Sequence, residues 1–159
     1  MVNVKLAAEV YRIGLVIGFF TKQEVIKWAD SVIEILDNPP YEIIDLSLSS
    51  KLNMEKFMWK LESIKGEVEQ DLTPKILLGL LRDYLDRQQD ISAVVEKMDQ
   101  LIQYLPVNCE PIEMEIHYLS DAFYLAKNEI YRDLKSVRGE IEDFLDEFVV
   151  YSDDFAKEY

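Results

Sequence analysis

One cysteine and one histidine in 159 residues leave little material for thiol, imidazole or metal chemistry. Cys109 cannot form an intrachain disulfide, which fits a reducing compartment, read here as the cytoplasm. A structural zinc site takes four Cys or His ligands, and the chain has two. A ferritin-like di-metal site needs Glu three residues before His, but Met114 stands three residues before His117. Cys109 and His117 would have to supply both nucleophile and base, and they read instead as a partly buried thiol and a helix-surface imidazole. No catalytic residue, cofactor or metal is expected, and the chain is read as not an enzyme.

Glycine and proline are also scarce, at five each, which favours long regular elements over turn-rich β architecture. The glycines are too scattered to write a phosphate-cradling loop. The longest apolar run, Ile13 to Phe20, has eight residues, whereas crossing a bilayer takes about 20. No membrane role is expected from it, and the Gly14-x-x-x-Gly18 spacing inside it suggests close approach of another helix.

Acidic charge is what the chain has in excess. The formal net charge is −14, unevenly spread: residues 1–80 hold nine Lys/Arg and twelve Asp/Glu, residues 81–159 eight and nineteen. The field of the C-terminal half repels nucleic-acid phosphates and anionic lipid and speeds encounter with a basic partner. From Glu140 to Tyr159 there are eight acidic residues and one basic, interleaved with Phe144, Phe148, Tyr151, Phe155 and Tyr159. Glu142 and Asp146, like Asp143 and Glu147, are like-charged pairs at i,i+4, each costing a few tenths of a kcal/mol that something should offset. Three readings suit this acidic run: a solvated face, a docking face for Lys and Arg of a partner, and carboxylate-only metal binding. Tyr118, Tyr124, Tyr131 and Tyr151 share the acidic half, and tyrosine suits interfaces because it joins apolar area to a polar tip.

Apolar residues recur at helical spacing along almost the whole chain. Helices are expected from Val4 to Ile17; after the capping-box pattern Thr21-x-x-Glu24; from Tyr41 to Leu48; after an Asn53 cap, ending at Gly66; after Thr73-Pro74; from Ile91 to Leu105; from Pro111 to Lys127; and after an Asp133 cap. Trp28 and Trp59 read as core or core-edge residues. The fold class is therefore all-α: a single domain over residues 1–159 of about eight short helices, packed as antiparallel pairs in an irregular bundle or short solenoid-like array, with residues 152–159 as a frayed tail. No repeat period is evident.

Residues 22–30, Asn38-Pro39-Pro40, 45–48, 119–126 and 130–134 form a pattern that resembles small uncharacterised bacterial proteins, in particular the helical immunity proteins of bacterial toxin systems. The glycine usual after a tyrosine like Tyr131 is Arg132 here. The resemblance implies a bacterial all-α protein and an immunity or antitoxin-like inhibitor. The acidic half would meet a basic protein such as a toxin through Asp121, Tyr124, Glu140, Asp143, Glu147 and Tyr151, with no nucleic acid or membrane involved. The alternative is a self-associating scaffold or adaptor, in which Trp59, Val149, Val150 and Phe155 form a homodimer contact.

Overall fold

The computed structural model describes residues 3–130 and 133–158. Among them the protein is all-α, with nine α-helices and no strand. Tyr131, Arg132 and Tyr159, quoted above, lie outside the described residues. No helix among the described residues is long and apolar enough to cross a membrane.

The backbone contacts gather into two units, Met1–Glu69 with Phe155–Tyr159, and Gln70–Asp154. The first unit contains α1 (Val4–Val16), α2 (Lys22–Ile35), α3 (Tyr41–Ser47) and α4 (Met54–Glu62). Each starts for a local reason. Asn3, Thr21 and Asn53 cap α1, α2 and α4 by accepting the backbone N–H of Leu6, Glu24 and Lys56, while Pro40 precedes α3. In this unit α2 packs on α3, α1 on α4, and α3 on α4. Val10, Val25, Trp28, Ile43, Leu46, Phe57 and Leu61 are buried. Tyr11 stacks on Trp28 with ring centroids 5.0 Å apart, and Phe155 completes this aromatic group 6.4 Å from Tyr11.

Several expectations from the sequence are corrected by the structure. Gly14 does face a close neighbour, but it is the Phe20 ring rather than another helix, and Gly18 sits at φ +75° beyond the end of α1. Gly66 does not end α4. The helix stops at Glu62, and Gly66 lies in the following loop, where a Cβ would come within 2.6 Å of Lys5 Cβ. Trp28 is buried as expected, yet Trp59 is 66 % exposed because Phe57 and Leu61 take the inward face of α4.

The second unit contains α5 (Leu72–Gln88), α6 (Ile91–Leu101), α7 (Glu110–Lys127), α8 (Leu134–Asp146) and the first residues of α9 (Val149–Glu158). Successive helices pack on one another and α8 returns to α5, closing a four-helix ring. The short connections that link them suit antiparallel neighbours. Leu77, Leu81, Leu85, Val94, Val95, Met98, Ile116, Leu119, Ile141 and Leu145 are buried, each side chain of this size contributing about 1.5–3 kcal/mol by leaving water.

The start of α5 also differs from the expected Thr73 cap. The helix begins at Leu72, so Thr73 stands inside it with a buried hydroxyl that has no hydrogen-bond partner. Asp71 flanks the start without capping, since its carboxylate turns to Lys75 Nζ at 3.0 Å. Pro74 still falls in the first turn, where a missing N–H is tolerated. Asp133 caps α8 as expected, accepting the Ser136 N–H at 2.8 Å. Α 3₁₀ turn, Ile102–Tyr104, and a second, Val107–Cys109, separate α6 from α7 on either side of Pro106. Residues read as the end of the eighth helix and a tail form α9 instead.

Candidate functional site

The acidic residues of α8 divide by face. On the face toward α5, Arg82 reaches Asp146 at 2.7 Å and Glu142 at 3.6 Å while also holding Asp86 of its own helix at 2.6 Å. Arg138 adds a 2.9 Å bond to Glu142 and donates to Gln89 Oε1 at 2.6 Å. Burial alone would lower the Arg82 guanidinium, but its bonds to Asp86 and Asp146 hold it above its ordinary pKa. These arginines offset the like-charge repulsion that the Glu142 and Asp146 spacing creates.

The other face of α8 is arranged differently. Glu140, Asp143 and Glu147 line a groove of about 480 Å³, and Glu115 of α7 joins them from the opposite side. Phe144 and Phe148, with Pro111 and Ile112 of α7, supply its apolar surface. That volume lies within the ordinary range for concave binding sites, about 300–1,000 Å³. Among the described residues no Lys, Arg or His lines the groove, and Glu115, Asp143 and Glu147 have no cation at ion-pair distance.

The sequence explains the groove locally. Pro111 stands in the first turn of α7, which puts Ile112 and Glu115 one turn apart at the end that meets α8. On α8, Val137, Ile141, Phe144 and Leu145 point inward at helical spacing, so 140, 143 and 147 fall on the flank beside them. Gly79 of α5 supports the floor from behind. A Cβ there would overlap the Phe148 carbonyl oxygen and lie 2.6 Å from Ser152 Oγ, so the junction of α8 and α9 can sit directly on the α5 backbone.

Of the six residues singled out from sequence, the groove brings together Glu140, Asp143 and Glu147. Asp121 and Tyr124 are exposed further along α7 and do not line it, and Tyr124 sets its ring edge against Phe123, 5.4 Å away. Tyr151 is half-buried with Lys75 Nζ over its ring, 5.4 Å from the centroid. Pro111, Ile112 and Glu115 were not anticipated, because only the pairing of α7 with α8 places them opposite the acidic run. Phe144 and Phe148 were assigned to the buried row, which they occupy while also flooring the groove.

The chain matches no protein-family model, no curated protein and no solved structure. The chemistry of the groove must therefore be read from its own residues.

No three metal-ligating side chains converge among the described residues. Cys109 is buried, and that burial pushes its thiol pKa up, against the thiolate a nucleophile requires. His117 is on the exposed side of α7, with Nε2 3.7 Å from Glu113 Oε1. The groove can bring carboxylates to a cation and apolar surface to whatever carries that cation.

Proposed function

We propose that the protein is a non-enzymatic binding protein that presents the acidic groove of its C-terminal half to a basic partner protein, as an immunity or antitoxin-like inhibitor would. One observation carries the reading: Arg82 and Arg138 neutralise the side of α8 toward α5, whereas Glu115, Asp143 and Glu147 line a groove with an apolar floor and have no described cation at ion-pair distance. Inhibition would come from occlusion of the partner surface, and electrostatic steering would raise the association rate. The same acidic potential disfavours nucleic acid and anionic lipid as ligands.

Asp143 and Glu147 are exposed, so their replacement leaves the core intact. The test is to capture partners from the native cell's lysate with the wild-type chain and with Asp143→Lys/Glu147→Lys, at low and at physiological salt. A basic protein retained stoichiometrically by the wild type, weakened by salt and lost with the double variant, supports the reading. Retention unchanged by the double variant refutes it.

A self-associating scaffold is the second reading, favoured by exposed apolar residues in the first unit. Tyr41, Ile44 and Leu48 recur along one side of α3, with Tyr41 76 % and Leu48 79 % exposed, and Trp59 is exposed on α4. Val150 is exposed as well, but Phe155 is packed against Tyr11 and is not available as a contact. This reading requires a mass that rises with concentration and responds little to salt.

A further inference from the structure

We propose that two copies of the chain associate through the outer face of α4, with Trp59 at the centre of a two-fold contact and Lys56 of each copy against Glu62 of the other. This contact is independent of the acidic groove and rests on the self-association reading, to which it gives a surface and a register.

The period of α4 builds the face. Phe57, Leu61 and, just past the helix, Ile64 are buried at i, i+4 and i+7, so Trp59 stands on the opposite side of the helix, 66 % exposed. Glu55, Lys56, Met58, Trp59 and Glu62 line a hollow of about 470 Å³, and all five belong to α4. A hollow formed by one helix is half of a groove, and a second copy of the same face supplies the other half. An indole left in water forgoes one of the largest burial gains a side chain can contribute.

Charge selects the occupant. Lys56, Trp59 and Glu62 form an i, i+3, i+6 row, with the indole in the middle and opposite charges at equal steps on either side. When a second α4 crosses at Trp59 with its row reversed, residues equally far before and after position 59 face one another. Lys56 then meets the partner's Glu62, and Glu62 meets the partner's Lys56, as a closed two-fold contact requires. Rows running the same way would set Lys on Lys and Glu on Glu, so charge fixes the orientation. Lys60 is held by Asp45 of α3, but among the described residues neither Lys56 nor the Glu62 carboxylate has an ion-pair partner. Glu55 stands off the row. The charge of this part of the chain opposes association only weakly, since residues 1–69 hold eight Lys/Arg against eleven Asp/Glu. Helices aligned along their i±3 rows cross steeply and touch mainly at the central residue. The area buried therefore falls short of the about 800 Å² per partner of a standard interface, and assembly takes micromolar protein or more.

The test follows sedimentation of the full chain from micromolar to millimolar protein, with iodide quenching of Trp59 as a second readout and circular dichroism verifying that each variant is folded. The mass should rise toward that of a dimer with little response to salt, and iodide should lose access to Trp59 over the same range. Trp59→Ala should raise the dissociation constant about ten-fold or more. At low salt Lys56→Glu and Glu62→Lys should each raise it about five-fold, and Lys56→Glu/Glu62→Lys should return it close to the wild-type value. Glu62→Lys makes the chain less acidic, so weaker association of that variant cannot come from net charge. Positions 56 and 62 are not neighbours on one helix, so rescue by the double variant requires contact between copies. A dimer that survives Trp59→Ala and is lost with Tyr41→Ser/Leu48→Ser places the contact on α3, which overturns this face and leaves self-association standing. A dimer that depends on Trp59 but is not restored by the double variant overturns the two-fold register. A monomer throughout the range, with Trp59 still quenched, overturns self-association as well and leaves the face to a different protein.

Discussion

Replacing glycine by alanine should have opposite effects at Gly79 and Gly139. Both lie inside helices, α5 and α8, where alanine is favoured over glycine by about 1 kcal/mol because the backbone loses less freedom on folding. Around Gly139 no atom comes within 4 Å of the added Cβ, so Gly139→Ala should keep most of that gain, about 0.5–1 kcal/mol. Around Gly79 the Cβ meets the Phe148 carbonyl oxygen and lies 2.6 and 2.8 Å from Ser152 Oγ and Cβ. A backbone carbonyl cannot turn aside as a flexible side chain can, and the buried Ser152 hydroxyl is tied to Val149 O at 2.9 Å. Overpacking costs about 1–3 kcal/mol, and this obstacle belongs near the upper end. With the helix gain subtracted, Gly79→Ala should destabilise by about 2 kcal/mol. Urea melts should show the two midpoints displaced in opposite directions at similar slope, and in heating scans each kcal/mol should move Tm by roughly 2–4 °C. Because Phe148 floors the groove, Gly79→Ala should also weaken capture of a basic partner, while Gly139→Ala should leave it unchanged. Equal or greater stability of Gly79→Ala would refute the close seating of the α8–α9 junction on α5.

Removing Arg82 should leave Asp86, Glu142 and Asp146 facing one another, so Arg82→Met should cost on the order of 1–3 kcal/mol and recover part of the loss in high salt; a melt insensitive to both substitution and salt contradicts the clamp. Burial, with Glu24 nearby, raises Tyr11 to about 12 from 10.0. The folded state therefore keeps a proton that the unfolded state gives up, so stability should fall as pH rises from about 10 to 12, by at most roughly 2–3 kcal/mol, and Tyr11→Phe should flatten that limb. Burial would raise the Glu9 carboxyl, but Arg12 and Lys5 together hold it below its ordinary value. The stabilisation from Glu9 is present above pH about 4.5 and should be lost below it, and Arg12→Met should shrink that acid-limb loss in urea titrations. Iodide should quench Trp59 and spare Trp28, so Trp59→Phe should remove most quenchable emission.

Helix identity was legible in the sequence wherever a capping residue met an apolar period of 3.6. Thr21, Asn53 and Asp133 each cap the helix they were expected to start by accepting a backbone N–H, and Pro111 falls in the first turn of α7. The failures have specific competitors. Thr73 looked like a cap, yet Leu72 extends α5 one residue ahead of it, and the carboxylate that could cap is engaged by Lys75. Gly66 looked like a helix end, yet its positive φ serves a loop closely packed against Lys5. Trp59 looked like core because tryptophan usually is, whereas Phe57 and Leu61 already fill the inward face of α4. For the groove, the acidic row could be read from residues 140, 143 and 147. Its opposite wall could not, since nothing in the local pattern of Pro111, Ile112 and Glu115 says which helix they face.

The net charge of −14 gives a magnitude but no direction, and the direction comes from where two arginines stand. Arg82 and Arg138 face the side of α8 that meets α5, and there the carboxylates act as structural partners that hold two helices together. Moving the same cations to the groove side would leave the net charge unchanged and remove the site. That separates two ideas a composition cannot distinguish, acidity that keeps a protein soluble and acidity that aims at a partner. A variant carrying Glu142→Gln and Asp146→Asn should therefore lose stability while binding a basic partner about as well as the wild type. Asp143→Asn/Glu147→Gln, with the same loss of two charges, should keep its stability and lose binding. If both pairs weaken binding equally, the protein responds to total charge alone, and the sorting of α8 into two faces has no functional consequence.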